Sequence, residues 1–424
     1  MRFKSAVLLF LYRILTSLLV VPGACYLAYH RRRDPHYGKG FWQLLGLNLP
    51  YFPQGCVVFH AASMGEANAI NPLIRSFKER HPEINVVATT MTTTGAGSLK
   101  GLKDITVCFS PLDNYFCIRS FFAKLRPRMI ITADTELWPE KFVQAQKNSC
   151  KCILVNARMQ EKNCLAYLKY KNTIEDLISS KLTLVLCASE ADRERYIRIG
   201  IAPENIRISG NLKYDLKPDG KRFKHGLEIK EHFKGPALGA ISTHSGEETL
   251  MLQCFADMQR VLPNLSLILV PRHRQGAELA EKYLQAHKLS YVIKNEKDNT
   301  VKFSGGILVG NTVGEIALYF GMCDLVFMGG SFTETGGHNP LEPACHALPS
   351  VTGPDYHNFK SEYARLIDAG GAFAVKSEDE LKKLCIKLLS DHKLCQKAGQ
   401  NANEVLRSGQ GALQRTMTEL EYLL

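Results

Sequence analysis

The feature that most constrains the fold is a series of short apolar runs, each followed by a polar loop and a longer amphipathic stretch. Continuous apolar runs of four to eight residues are typical of strands buried on both faces of a parallel sheet, and the intervening stretches are typical of crossover helices. The runs are residues 56–60, 85–90, 129–133, 152–155 and 182–186, then 237–241, 265–270, 307–309 and 325–328. The pattern predicts an α/β protein with two Rossmann-like halves.

The length of 424 residues favours two domains over one hydrophobic core. Residues 211–236 are polar and rich in Lys, Gly and Pro, which predicts a linker. We therefore expect an N-terminal anchor at 1–33, a first Rossmann-like domain at 34–210, the linker at 211–236 and a second Rossmann-like domain at 237–424, ending in a helical segment. In paired α/β domains, ligands bind beyond the carboxyl ends of the strands, so we expect the functional residues there and in the cleft between the domains.

The anchor is predicted from residues 5–30, an apolar stretch that Arg13 interrupts. Three arginines at 31–33 follow it, which places the rest of the chain on the cytoplasmic side. A cleaved signal peptide is disfavoured by the length of the stretch and by these arginines. A helix that lies in the membrane interface remains an alternative to a helix that spans the bilayer.

Charge and cysteine content agree with a cytoplasmic location at a membrane. Lys+Arg minus Asp+Glu gives 53 − 41 = +12, which favours an anionic partner such as a membrane surface, a nucleic acid or an acidic metabolite. Two tryptophans and 9% aromatic residues, without zinc-finger or RNP-like spacing, disfavour nucleic acid. The 13 cysteines form no CxxC pair, so we expect reduced thiols.

In the first half, two glutamates stand out in the loops after predicted strands. Glu66 lies near a helix start after the first strand, where a desolvated carboxylate can act as a general base, although a helix-capping role is the simpler interpretation. Glu136 follows another strand, so both acids are expected at one edge of the sheet. Trp138 is close by, with core packing as its alternative role.

In the second half, the loops after the strands suit an anionic ligand. Residues 242–248 combine hydroxyls with a helix start, which suggests a phosphate cradle, and Arg272 can pair with an anion. A Gly-rich loop leads to Glu342, which can accept hydrogen bonds from a ribose diol, but its spacing is neither a Walker loop nor a dinucleotide fingerprint. Structural hydrogen bonding is favoured for the loop histidines, and no metal or cofactor is expected; these histidines are His60, His244, His273 and His338.

Taken together, the loop motifs closely resemble those of the Kdo (3-deoxy-D-manno-octulosonic acid) transferases of lipopolysaccharide assembly. The segments GGHNPLEPA and TELWP are the most specific, and all of them run in family order over nearly the whole chain. They are HAASMGE at 60–66, TELWPE at 135–140, NAR at 156–158, GNLKYD at 210–215, STHSGEE at 242–248, PRH at 271–273, NTVGEI at 311–316, GGS at 329–331 and GGHNPLEPA at 336–344.

The resemblance implies a GT-B glycosyltransferase, inverting and metal-independent, that uses CMP-Kdo as donor. Its acceptor would be the tetraacylated lipid A precursor (lipid IVA) at the cytoplasmic face of the inner membrane. By motif, Glu66 is the general base, and Glu136 and Lys213 are similar to positions that stabilise the transition state. The CMP contacts would be Pro271, Arg272, Val313, Gly314, Glu315, Asn339, Pro340, Leu341 and Glu342.

Two segments depart from the family pattern. Asn311 stands where the family commonly has Asp, and Met159-Gln160 follows NAR where Leu-Ser is usual.

Two alternative functions are a GT-B transferase that uses a UDP-sugar donor and an inactive membrane-anchored binding protein. The intact acids, with Lys213 and Arg272, argue against the inactive protein. A dehydrogenase is disfavoured because no GxGxxG follows the first strand of either half.

Overall fold

The computed structural model describes residues 1–33, 40–298 and 301–424. Residues 34–39, which begin the predicted first domain, lie outside the described residues. The chain separates into two compact units, an N-terminal unit of residues 1–215 with 410–424 and a C-terminal unit of residues 216–409. Each unit contains one seven-stranded sheet.

The sheet of the N-terminal unit is parallel throughout and has the strand order β3-β2-β1-β4-β5-β6-β7. The order reverses between β1 and β4, and the loops beyond the carboxyl ends of these two strands are where such sheets bind ligands. The strands are β1 (Cys56–His60), β2 (Val86–Thr90), β3 (Thr106–Phe109), β4 (Pro127–Ala133), β5 (Lys151–Ala157), β6 (Leu184–Cys187) and β7 (Ile206–Ile208).

Helices cover both faces of this sheet. Alternate residues of β1 point into two separate cores, Val58 into one and Val57 and Phe59 into the other, which explains why the strand is continuously apolar. The helices are α1 (Phe3–Arg33), α2 (Phe41–Leu44), α3 (Met64–Arg80), α4 (Thr93–Leu99), α5 (Tyr115–Leu125), α6 (Pro139–Lys147), α7 (Glu161–Leu168), α8 (Lys171–Leu177) and α9 (Glu190–Arg198), with 3₁₀ turns at Ser179–Lys181, Pro203–Asn205 and Leu212–Tyr214.

The C-terminal unit repeats the design with the strand order β10-β11-β9-β8-β12-β13-β14, again fully parallel. Its order reverses between β8 and β12. The strands are β8 (Ala237–Thr243), β9 (Ser266–Pro271), β10 (Tyr291–Asn295), β11 (Ile307–Asn311), β12 (Leu325–Met328), β13 (Ser350–Thr352) and β14 (Ala372–Ala374). The helices are α10 (Gly220–Lys230), α11 (Glu247–Gln259), α12 (Arg274–Ala286), α13 (Ile316–Gly321), α14 (Leu341–Cys345), α15 (Lys360–Asp368), α16 (Glu378–Ser390) and α17 (His392–Gly409), with a 3₁₀ turn at His357–Phe359.

The last helix, α18 (Ala412–Tyr422), packs on the N-terminal unit and not on the unit that precedes it in the chain. Met417 and Leu420 lie in the same core as β1, and the carboxylate of Asp215 accepts hydrogen bonds from Gly411 N and Leu413 N, both at 2.6 Å. The sequence placed these residues in the second domain, because adjacency along the chain carries no information on this return.

The predicted linker 211–236 contains a 3₁₀ turn and helix α10, and the boundary between the units falls within it, after Asp215. Helix α10 packs closely on α13, since a Cβ on Gly226 would come within 2.1 Å of the Leu318 carbonyl oxygen. A polar stretch without strong periodicity can therefore still form a packed helix when a glycine on each side, Gly226 and Gly321, allows the backbones to approach.

All thirteen cysteines are free, and only Cys25 and Cys345 among them are not buried. Burial raises the pKa of thiols such as Cys56, to about 12, which keeps them protonated at neutral pH. The cysteines therefore serve mainly as core residues with free thiols.

Candidate active site

Glu66 lies in the first turn of α3, directly after the carboxyl end of β1. Its Oε1 accepts a hydrogen bond from the Ser63 hydroxyl at 2.9 Å, and its Oε2 accepts one from Ala62 N at 2.7 Å. The Ser63 side chain in turn caps the helix by accepting from Glu66 N at 3.4 Å. The capping geometry expected as the simpler role is therefore present, and it holds the carboxylate in a fixed position.

The electrostatics of Glu66 favour a base near neutral pH. Burial raises the pKa of this carboxyl to about 7, against the two hydrogen bonds from Ala62 and Ser63, which lower it. The charges of Asp134 and Glu136, which follow the neighbouring strand β4, raise the pKa further. A carboxylate with such a pKa can take a proton from a hydroxyl and still be ionised at physiological pH.

Glu136 lies at the same edge of the sheet, in the loop between β4 and α6. Its Oε2 accepts a hydrogen bond from the indole N–H of Trp138 at 2.6 Å. The Trp138 side chain is 40% exposed, so its alternative role in core packing is wrong. The tryptophan instead orients the second acid of the pair.

Sequence reasoning gave no role to a polar network that joins this loop to the turn carrying Lys213. Asp134 pairs with Arg158 at 3.0 Å and accepts from the Asn156 amide at 2.7 Å, and Asn156 Oδ1 accepts from Leu212 N at 3.0 Å. Asp134 and Asn156 both have positive φ, 52° and 54°. The NAR motif was a signal for this network, but only the backbone geometry shows what its side chains bind.

Lys213 itself lies in the 3₁₀ turn at Leu212–Tyr214, within the N-terminal unit. The turn is fixed at its start by Asn211, whose side chain accepts a hydrogen bond from Lys213 N at 3.0 Å. Through Leu212 it is bound to the carboxyl end of β5. The structure thus brings the loops of Glu66 and Glu136 and the turn of Lys213 to one edge of one sheet.

In the C-terminal unit, the loop after β8 is organised around Glu247. This carboxylate is 1% exposed and accepts hydrogen bonds from four backbone amides, those of His244, Gly330, Ser331 and Phe332, at 2.6 to 2.9 Å. The amides of the 330–332 loop and of His244 are therefore already bound to an internal anion. The phosphate cradle expected at 242–248 stays a prediction, and the His244 amide already has an acceptor in Glu247.

Arg272 and the segment 339–342 come together at the carboxyl end of this sheet. Arg272 follows β9 and its backbone N–H donates to the Thr243 carbonyl at 2.9 Å, while its side chain is exposed. Burial raises the pKa of Glu342 to about 7, although the nearby charge of Arg272 and a hydrogen bond with Asn339 lower it. Asn339 Oδ1 also accepts from Leu341 N at 3.1 Å, so it fixes the loop through Pro340 into α14.

The third predicted donor segment, residues 313–315, follows β11, and its loop contacts the end of β10. Val313 is 85% exposed and Gly314 has a φ of +77°, while Glu315 forms an ion pair of 2.7 Å with Lys294, which is 3% exposed. Asn311, the residue that departs from the family pattern, donates to the side chain of Asn295 at 3.0 Å. These contacts hold the 311–315 loop against the end of β10.

Three of the loop histidines make hydrogen bonds inside their units. The Nε2 atoms of His244 and His338 lie 2.9 Å apart, and burial lowers the pKa of His338 to about 4. His60 is 1% exposed and its Nδ1 lies 2.9 Å from the Thr89 hydroxyl. These contacts agree with the structural role favoured for them.

Comparison with known proteins identifies the family. A family model described as 3-deoxy-D-manno-octulosonic-acid transferase (kdotransferase) matches residues 39–216. The 3-deoxy-D-manno-octulosonic acid transferase of Haemophilus influenzae is 30% identical over 418 residues, which cover 96% of this chain and 97% of the relative. The enzyme of the same name from Aquifex aeolicus is 31% identical over 342 residues, covering 80% of this chain and 87% of the relative.

Solved structures agree on the fold. The UDP-GlcNAc 2-epimerase of Neisseria meningitidis superposes with a TM-score of 0.57 at 13% identity and covers 87% of this chain and 100% of its own. This likeness supports the GT-B fold class that the two Rossmann-like units indicate. The sequence similarity goes further, and the chain belongs to the 3-deoxy-D-manno-octulosonic acid transferase family of glycosyltransferases.

Proposed function

We propose that this protein transfers Kdo from CMP-Kdo to the lipid A precursor lipid IVA, with inversion at the anomeric carbon and release of CMP. The membership of the family supports Kdo as the transferred sugar. The observation that carries the chemistry is Glu66, a carboxylate with a pKa of about 7 fixed by capping hydrogen bonds at the point where the strand order of its sheet reverses.

In the proposed reaction, an acceptor hydroxyl of the lipid attacks the anomeric carbon of Kdo on the side opposite CMP. The new bond joins the acceptor oxygen to this carbon, and the bond from the carbon to the CMP phosphate oxygen breaks. The hydroxyl proton passes to Glu66, and the electron pair of the broken bond leaves with CMP. Glu136 and Lys213 supply fixed charges that stabilise the transition state.

The donor contacts are assigned to the C-terminal unit. Arg272 pairs with the CMP phosphate, because its guanidinium is exposed and its backbone is fixed between β8 and β9. Glu342 accepts hydrogen bonds from the ribose, next to Pro271, Asn339, Pro340 and Leu341. Val313, Gly314 and Glu315 complete the proposed set, with the Lys294 pair of Glu315 holding their loop. No metal takes part in this scheme.

The proposed location is the cytoplasmic face of the inner membrane. Helix α1 is long and apolar enough over Phe3–Val20 to be a candidate membrane segment, and 11% of this segment is buried against the protein. The net charge of +12 suits both an acidic sugar donor and a phosphorylated lipid acceptor.

The test is transfer by the purified full chain, with CMP-Kdo generated in situ and lipid IVA as acceptor, followed by mass spectrometry of the lipid. We expect Kdo-sized mass increments with the wild type and none with Glu66→Gln. A matched control is Glu79→Gln, on the exposed face of the same helix, which should transfer at the wild-type rate.

Each other outcome is informative. If the folded wild type adds no mass to the lipid while CMP-Kdo is demonstrably present, the proposed donor and acceptor are refuted. UDP-sugars would then be tested as donors. Equal transfer by wild type and Glu66→Gln would keep the enzyme and remove Glu66 as its base.

A further inference from the structure

One face of α1 is bound along the N-terminal unit by polar contacts. Arg2 pairs with Glu175 at 3.0 Å and Ser5 donates to Asp176 at 2.7 Å. Two turns later, Arg13 forms a bidentate pair with Glu140, at 2.7 and 3.0 Å. We call this the docked face, and its members are Arg2, Ser5, Leu9, Tyr12, Arg13 and Ser17, which recur at helical spacing.

The remaining docked-face residues complete the attachment. Leu9 is 4% exposed and lies in the hydrophobic core of the unit. The Tyr12 hydroxyl donates to Asp113 at 2.9 Å, and Ser17 Oγ accepts from Asn114 at 2.9 Å. Because the docked-face residues extend from residue 2 to residue 17, about 22 Å of helix lies against the protein surface.

The opposite side of α1, which we call the outer face, is apolar and exposed. Its residues are between 40% and 84% exposed, and they are Phe3, Val7, Leu8, Phe10, Leu11, Ile14, Leu15, Leu18 and Leu19. Nine large apolar side chains on one helix face need a nonaqueous partner. Because the docked face is covered by the N-terminal unit, this partner can contact the helix only on its outer face.

We propose that α1 lies along the membrane surface, with its outer face in the cytoplasmic leaflet, and does not cross the bilayer. The docked face decides between these two arrangements. If residues 3–20 spanned the bilayer, the attached surface of the protein would be drawn to the same depth, and with it the partly exposed carboxylates of Asp113, Glu175 and Asp176. Charged groups at the centre of a bilayer are costly, whereas in the interface they keep contact with water.

The rest of the helix is too short to span alone. After Ser17, the apolar stretch runs from residue 18 to residue 30, and Pro22 and Gly23 interrupt it. Thirteen residues rise about 20 Å as a helix, and a hydrocarbon core is about 30 Å thick.

Exposed aromatic and basic side chains also occur outside α1, on α5 and in the loop before β1. The Arg13 guanidinium lies 4.8 Å from the ring centroid of Tyr115, and the adjacent Phe116 is 68% exposed. Tyr51 is 58% exposed, and Lys124 lies 5.8 Å from its ring centroid. Aromatic and basic residues together are typical of the interface of a membrane that contains anionic lipids.

The experiment is cysteine labelling of the full chain in the inner membrane of a bacterial host, in a Cys25→Ser background. Lys4→Cys places a thiol at the exposed start of α1, and Tyr422→Cys provides a cytoplasmic control that is 89% exposed in the native protein. A membrane-impermeant maleimide is applied to intact spheroplasts and to inside-out membrane vesicles. Labelled sites are read by peptide mass spectrometry.

We expect both cysteines to react in inside-out vesicles to the same extent, and neither to react in spheroplasts. Reaction of Lys4→Cys in spheroplasts, with protection in vesicles, would show a spanning helix and overturn the proposal. Protection in both preparations until detergent is added would overturn it as well. The readout does not depend on transferase activity, so the failure of the proposed function would leave it intact.

A second measurement addresses the docked face itself. Ser5→Cys with Asp176→Cys should form an oxidative cross-link in membranes, because the native side chains lie 2.7 Å apart. A matched pair, Val7→Cys with Asp176→Cys, should not, since Val7 belongs to the outer face. If the first cross-link does not form in membrane-bound protein that is folded, α1 leaves the unit in the membrane, and the proposal is overturned.

Discussion

The two Rossmann-like units place a glutamate at nearly the same point, after the first strand of each sheet, and use it in opposite ways. Glu66 follows β1 and Glu247 follows β8, and each accepts a hydrogen bond from a backbone amide of its own loop. Glu247 then takes three more amides from the loop after β12 and is 1% exposed. Glu66 takes one hydroxyl, from Ser63, and remains partly exposed.

The difference shows how the same residue at the same topological position becomes structural or chemical. A carboxylate whose lone pairs all accept backbone N–H groups is committed to holding a loop. A carboxylate that is desolvated, near other acids and only partly hydrogen-bonded has a raised pKa and can exchange a proton. The sequences HSGE and SMGE do not reveal which is which.

The largest expected effect is that of Glu247→Ala on stability. The substitution leaves two buried and two partly buried amides without an acceptor. At about 1–3 kcal/mol for each buried amide and less for the others, we expect the C-terminal unit to lose about 4 kcal/mol. Urea unfolding, followed by limited proteolysis to identify the unit that opens, would measure the loss. A variant as stable as the wild type would show that the loop does not depend on Glu247.

Next in size is the effect of Glu66→Gln on transfer. Removing a general base lowers the rate about 10²- to 10⁴-fold, while the partly exposed capping position predicts little change in the unfolding midpoint. Steady-state kinetics and thermal unfolding of the same preparation measure both quantities. A drop in stability comparable to that of Glu247→Ala would mean that Glu66, like Glu247, has a structural role.

The pH dependence of transfer sharpens the comparison further. The pKa of Glu66 is about 7, and the base must be ionised, so kcat/KM should fall about tenfold per pH unit below 7 and level off above it. Asp134 and Glu136 both raise this pKa, so the residual activity of Glu136→Gln should level off at a lower pH than that of the wild type. A profile that is flat between pH 5.5 and 8 would exclude Glu66 as the titrating base.

The smallest expected effect is that of Trp138→Phe. It removes the indole N–H that donates to Glu136 and retains most of the ring, so we expect a loss of about 1 kcal/mol of transition-state stabilisation, or about fivefold in kcat. Because Trp138 is 40% exposed, the unfolding midpoint should not move. An unchanged kcat would show that Glu136 needs no orientation by this residue.

The sequence predicted the central strands well and the outer strands poorly. The runs at 56–60 and 325–328 match β1 and β12 to the residue, because strands covered on both faces are continuously apolar. Five strands had no matching prediction, and each is short or only partly buried along its length; they are β3, β7, β10, β13 and β14. Such segments gain their structure from a neighbouring strand, which a local pattern does not show.

For the candidate site, the sequence motifs located the acidic residues but did not predict the hydrogen bonds and ion pairs around them. The resemblance to a family singled out Glu66, Glu136 and Lys213, and these residues follow strands and turns of one unit. The contacts among Asp134, Asn156 and Arg158 depend on two residues with positive φ, a conformation that Asp and Asn adopt more readily than most residues but that no spacing encodes. The Glu315–Lys294 pair likewise joins residues 21 positions apart that only the fold brings together.

The return of α18 to the N-terminal unit has a consequence for biosynthesis. During translation, β1 and its helices emerge first, the whole C-terminal unit is made next, and Met417 and Leu420 are added to the first core only afterwards. The N-terminal unit must therefore wait, with part of its apolar surface open, until residue 420 has left the ribosome. A chain released early by a nonsense codon would keep that surface uncovered, which marks it for proteolysis before it can act as an enzyme.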